Sequence, residues 1–174
     1  ITFDDQELPV QILGFYTEEL NQWAWAWDNE DIFGDSLTDV ARQMKDIGDE
    51  FNIKEFNSPV IQLSYNACHA LAMTSTAICN MDAYYAVSED GLDIFVAIKS
   101  DLIEEDNSVQ KFRNTFAIFQ KNFKVYSNIA FEGYTKLKGY GYKAHEDFAV
   151  AKIGESRIIV GFTERGISRS EERF

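Results

Sequence analysis

The sequence predicts an α+β fold, a mostly antiparallel six-stranded sheet with about four helices on one face. Three observations lead there. Apolar residues recur at helical spacing in two long segments, and three pairs of strand-like runs meet at short turns. The chain has 174 residues, 45% apolar with only two prolines, enough for one α+β domain over residues 1–174 with a core of its own. Strands joined only by tight turns or helix pairs are expected to pair antiparallel.

The first strand pair is Val10 to Thr17 and Gln22 to Trp27, alternating as half-buried strands do. Asp35-Ser36 then precede Leu37, Val40, Met44, Ile47 and Phe51, apolar at spacings of 3, 4, 3 and 4. That is one helix face, with Asp39 placed as the acidic member of a capping box. A small-residue helix follows from Tyr65 to Asn80. Ala83 to Val87 and Leu92 to Ile98 flank Asp90-Gly91, a dipeptide that tolerates the positive φ of a hairpin turn. Asn107-Ser108 open a second amphipathic helix through Val109, Phe112, Phe116, Phe119 and Phe123, and another runs from Ser127 to Lys138 until Gly139. Asp147 to Lys152 and Arg157 to Phe162 flank Gly154-Glu155-Ser156 as the last hairpin.

Helix, helix, strand, strand thus occurs twice. The first helices register at an offset of 72 and the hairpins at 63, leaving nine extra residues in the first copy near Asn57-Ser58-Pro59. A degenerate duplication explains this, and so does the general likeness of amphipathic helices. The subunits would be 9–106 and 107–164, with 165–174 a charged tail that frays or acts as an edge.

Charge divides along the same line. Residues 1–106 hold 22 acids and 4 bases, net −18, and residues 107–174 hold 7 acids and 12 bases, net +5, within a total of −13. Either the halves neutralise one another within the chain, or molecules meet head to tail, or an acidic face awaits a basic partner. The exposed edge of the last hairpin, Arg157 to Glu164, favours a weak homodimer. Such an acidic chain repels phosphate backbones and anionic lipid, so no nucleic acid and no membrane is expected as partner. No run approaches the ~18 apolar residues of a membrane span.

Cys68 and Cys79 lie about three helical turns apart, roughly 16 Å along an axis, beyond the ~7 Å reach of a disulfide. Free thiols suggest a reducing, cytoplasmic compartment. The chain opens on Ile1 rather than Met, which implies a trimmed N-terminus and leaves a removed signal peptide open.

Trp23, Trp25 and Trp27 alternate with Ala24 and Ala26, so on a strand the three indoles share one face. They form either core or an aromatic groove for a ligand, with Asp28 at its end. Gln22-Trp23-Ala24-Trp25-Ala26-Trp27-Asp28-Asn29, followed by a capped helix and Tyr65-Asn66-Ala67-Cys68-His69-Ala70-Leu71, resembles an uncharacterised prokaryotic family of unknown function whose members carry a W-x-W-A-W-x-N strand. The resemblance covers about residues 9–100. It implies a cellular prokaryotic protein and supplies no catalytic residues.

Other constellations fall short of chemistry. Counting from Asp28, the acidic loop of Asp28, Glu30, Asp31 and Asp35 puts Ile32 at position 5 and Gly34 at 7, which breaks an EF-hand. Cys68 and His69 are adjacent on a helix and point about 100° apart. Two histidines and two cysteines without C-x-x-C spacing give no zinc site, and no cofactor is indicated. Lys138-Gly139-Tyr140-Gly141-Tyr142 begins like an RNA-recognition signature but continues with Lys143 and His145. The expected function is therefore a non-enzymatic domain binding a protein or small ligand. The alternative is a carboxylate-dependent hydrolase using Asp28 or Asp31 beside the Trp23, Trp25 and Trp27 face.

Overall fold

The computed structural model describes residues 2–3, 6–104, 106–162 and 168–172. The chain forms two compact units, Ile1–Glu104 and Glu105–Phe174. Each has an antiparallel sheet and its own apolar cluster.

The first unit opens with β1 (Thr2–Phe3) and β2 (Gln6–Glu7), a two-stranded pair. Its main sheet is built from β3 (Val10–Thr17), β4 (Gln22–Trp25), β5 (Val60–Gln62), β6 (Ala83–Glu89) and β7 (Leu92–Ile98), in the order β5-β4-β3-β7-β6. A β-bulge between Ile12 and Gly14 adds one residue to β3. Asp90 and Gly91 take φ of 49° and 80° in the β6–β7 turn, as a two-residue hairpin of this twist requires. Between strands stand a short α1 (Glu30–Phe33), α2 (Asp39–Phe51), α3 (Lys54–Asn57) and α4 (Tyr65–Ile78). The Ser64 hydroxyl accepts from the Ala67 N–H and caps α4.

The second unit holds α5 (Val109–Asn122), α6 (Ser127–Leu137), β8 (Gly141–Ala144), β9 (Phe148–Ile153), β10 (Ser156–Phe162) and β11 (Ser168–Glu172), with sheet order β11-β10-β9-β8. Ser108 caps α5 by accepting from the Lys111 N–H at 3.1 Å. Phe112, Phe116 and Phe131 pack on Ala149, Ala151, Ile158 and Val160.

Mixed α/β architecture with antiparallel sheets matches the expectation, whereas the strand and helix counts do not. In place of one six-stranded sheet the described residues form a five-stranded and a four-stranded sheet beside the β1–β2 pair, because each segment carries enough apolar surface to close a separate core. The strands missing from the sequence reading lack an alternating apolar signal. β5 has three residues after Pro59, β8 lies in the glycine-tyrosine stretch, and β11 is polar throughout. The helix expected from Ser36 starts at Asp39, since Asp35–Leu37 form a 3-10 turn and Asp39 bonds Arg42 rather than closing a capping box. Of the edge Arg157 to Glu164 offered for a homodimer, Ile158 to Phe162 pair with β11 inside the chain, and 163–164 lie outside the described residues. Residues 163–167 and 173–174, including part of the charged tail, lie outside the described residues.

Two helical glycines respond oppositely to a methyl group. A Cβ on Gly48 in α2 would stand 2.8 Å from the Phe56 Cβ and 2.9 Å from the Asn57 nitrogen, whereas one on Gly133 in α6 meets nothing within 4 Å. Gly133→Ala is expected to stabilise by about 0.8–1 kcal/mol through helix propensity. Gly48→Ala is expected to destabilise by about 1–3 kcal/mol despite the same propensity gain, because α3 cannot step back freely. Denaturant titration of the two variants checks both signs.

Candidate functional site

Directly opposed residues in neighbouring strands share a sheet face, so the register assigns the paired side chains of the first sheet. One face carries the row Ser88, Asp93, Tyr16, Trp23, Ile61 and the row Ala86, Phe95, Gly14, Trp25. Helices cover it through Met44, Cys68, Leu71 and Ala72, and Trp23 and Trp25 are both 0% exposed. Their rings meet edge to face at 5.3 Å, and Trp23 lies 5.1 Å from Phe95. The Trp25 Nε1–H donates to the Glu55 carbonyl at 2.9 Å, while the buried Trp23 Nε1 has no acceptor among the described residues. These two indoles are core and offer no surface to a ligand.

Trp27 departs from the expected row. The strand ends at Trp25, and Ala26–Asn29 turn into a 3-10 helix, with the Asn29 amide donating to the Trp25 carbonyl at 3.4 Å. Period-two alternation stops there, so the sequence pattern overshoots the strand by two residues. Trp27 is half-buried with the Lys45 ammonium 5.6 Å above its ring, and Asp28 is exposed. The four residues singled out by sequence therefore do not converge on one surface.

Arg42, which sequence reasoning passed over, organises the acidic loop. Its Nε lies 3.0 Å from Glu30, and its Nη2 lies 3.1 Å from Asp39 and also donates to the Asp35 carbonyl. The loop is thus held by a cation from α2, and among the described residues no three His, Cys, Asp or Glu side chains gather as for a metal. Lys45 pairs with Asp49 at 3.0 Å and Lys99 with Asp82 at 2.7 Å. Hydrogen bonds from Lys45 and Asn57 hold Asp49 below the usual carboxylate range, and those from Lys99 and the Ser100 N–H do the same for Asp82. Three of the four bases in residues 1–106 are engaged in this way.

The Cys68 thiol is wholly buried, and desolvation pushes its pKa up to about 12. A thiol kept protonated is a packing group and not a nucleophile. His69 Nδ1 stands 3.1 Å from the Tyr84 hydroxyl, with Tyr65 and Phe95 rings at 4.7 and 5.1 Å. Burial lowers its pKa against the opposing pull of Asp93.

The opposite sheet face carries an apolar row across all five strands: Val87, Ile94, Phe15, Ala24 and Val60. Phe33 of α1 packs on Phe15 at 5.1 Å. Towards one end lie exposed Leu92 and, in the β3–β4 turn, exposed Leu20. The two hairpin tips are joined by the Glu18 N–H donating to the Gly91 carbonyl at 3.2 Å, which brings Glu18, Glu19, Glu89 and Asp90 to that end. The sequence did carry a signal for this second apolar face. Ile94 to Ile98 is apolar at every position, the mark of a strand with two apolar sides.

In the second unit, a pocket of about 220 Å³ is lined by Phe112, Phe116, Phe131, Ile158 and Val160, with Arg113 and Gln120 among its polar groups.

Residues 1–101 match DUF6882, a family of unknown function. The expected resemblance to a family without assigned activity is thereby shown, over a stretch that nearly coincides with the first compact unit. No curated protein and no solved structure matches the chain. Among the described residues no helix is long and apolar enough to cross a membrane.

Two measurements check this assignment. Intrinsic tryptophan emission is expected to be blue-shifted and resistant to aqueous quenchers, and Trp25→Ala to cost on the order of 3–5 kcal/mol. The Cys68 pKa is raised on folding, so above pH ~9 the unfolded chain loses a proton that the folded chain keeps, and stability falls as pH rises from there towards 12. Cys68→Ala is expected to flatten that fall in thermal melts recorded across the same range.

Proposed function

Starting from a chain that belongs to DUF6882, we propose that its family unit is a non-enzymatic binding module for a basic protein partner. The observation that carries this reading is the apolar row on the sheet face away from the tryptophan core, ending at exposed Leu20 and Leu92 among Glu18, Glu19, Glu89 and Asp90. An apolar centre with an acidic fringe favours a partner with apolar residues flanked by Lys and Arg. The segment's net −18 steers such a partner, and its engaged bases leave the field little opposed. The buried, protonated Cys68 and the separation of Asp28 from the buried indoles favour binding over catalysis.

The probe is a peptide of alternating lysine and valine, with a glutamate–valine peptide as control. Binding by the lysine peptide alone, weakening as salt rises and lost in the double variant Leu20→Lys/Leu92→Lys, supports the reading. Equal binding of both peptides, or turnover in a hydrolase and phosphatase panel abolished by one substitution, contradicts it.

The pocket of the second unit favours a second reading, small-ligand binding. About 220 Å³ lined by three phenylalanines suits a single aromatic ring. Benzoate and indole titrated into labelled protein are expected to shift the methyl signals of Ile158 and Val160 first. Shifts scattered over the chain contradict that reading.

A further inference from the structure

The first sheet has two edges, and they are built differently. β5 is three residues long and follows Pro59, so it offers little to an incoming strand. β6 runs for seven residues, Ala-Tyr-Tyr-Ala-Val-Ser-Glu, and ends the sheet order on the other side. It contains no proline, glycine, lysine or arginine, and its pairing with β7 runs unbroken from Ala83↔Ile98 to Glu89↔Leu92 with no bulge. Natural edges are blunted by just those devices. In a strand with one neighbour, alternate N–H and C=O groups point away from that neighbour, so among the described residues β6 presents a ladder paired on one side only.

We infer that β6 is a docking edge for an extended, basic segment of a partner protein, which joins the sheet as a sixth strand. This rests on the basic-partner reading above and names where and how that partner binds. Charge selects the occupant. A second copy would set two segments of net −18 against each other, whereas a cationic strand is attracted. The side chains flanking the edge select its pattern. On the outer face Val87 is part exposed, and an incoming strand would set an apolar side chain beside it. On the helix-covered face stand Ser88, whose hydroxyl bonds the Asp93 carboxylate, and Tyr84, where the alternate lysines would lie. Recognition by main-chain pairing with alternate side chains read on two faces is the logic of β-strand addition.

The test uses the full chain with three probes: the lysine–valine peptide, the same peptide N-methylated along one edge, and no peptide. With the unmodified peptide, hydrogen exchange is expected to slow at alternate amides of Ala83–Glu89, and the N-methylated peptide is expected to bind about tenfold more weakly or worse. Ala86→Pro and Val87→Pro supply the complementary variants. Neighbouring residues aim their N–H groups to opposite sides, so one of the two keeps the sheet, as its melting curve shows, and that folded variant is expected to lose the peptide. Equal binding of both peptides, or binding without slowed exchange in β6, overturns strand addition and leaves the basic-partner reading standing. Failure of the lysine peptide to bind at all overturns both. Slow exchange along the whole of β6 without peptide, together with a dimer in sedimentation, assigns the edge to a second copy and overturns the inference.

Discussion

Gly14 has no Cβ, and the place where one would stand is filled. It lies 2.5 Å from the Ala24 carbonyl and 2.6 Å from the benzo ring of Trp23. The indole rests directly on the bare backbone of β3, and that approach sets how deep the aromatic layer of the first unit can sit. Trp25 and Phe95 then close on Trp23, Phe56 closes on Trp25, and α2, α3 and α4 lie over the group. Interiors packed to crystal-like density transmit such a constraint from one side chain to the next. The Gly14 bulge, the buried tryptophans and the Glu55 carbonyl bonded to Trp25 are parts of one fitted layer.

That layer decides what the rest of the sheet is free to do. With the helices committed to the tryptophan side, the other side keeps its apolar row with α1 as a partial cover, and among the described residues β6 ends the sheet, paired only with β7. The docking surface proposed for this unit therefore falls opposite to the aromatic motif and along its rim. The acidic loop after the motif is likewise committed, since Arg42 ties Glu30, Asp39 and the Asp35 carbonyl together. Trp23 and Trp25 are thus spent on the core, and Glu30 and Asp39 on Arg42.

Much of this was legible in the residues. The four long helices, the Asp90-Gly91 turn and the capping role of Ser108 follow from periodicity and turn chemistry, which act locally. The three expected hairpins also form, whereas pairing beyond a hairpin does not act locally, and there the sequence misled. The Trp-Ala alternation extends to Trp27 while the strand stops at Trp25, because Asn29 and the following turn residues take over the backbone. β8 and β11 are strands by virtue of their neighbours and not of their own composition. Division into a five-stranded and a four-stranded sheet depends on which apolar segments find each other, a tertiary outcome that spacing within a segment does not encode. The outer face was missed because the Trp motif drew the reading to one side, although Ile94 to Ile98 announces two apolar sides.

The tryptophan face holds the first unit together, and the opposite face with β6 is where we place recognition. A backbone amide and indole spectrum of the isotopically labelled chain, followed through addition of the lysine–valine peptide, tests it most directly. Shifts are expected to concentrate in Ala83–Glu89, Leu92 and the row from Val87 to Val60, with the indole Nε1–H signals of Trp23 and Trp25 unmoved. Displacement of those two indole signals while β6 stays still would contradict it.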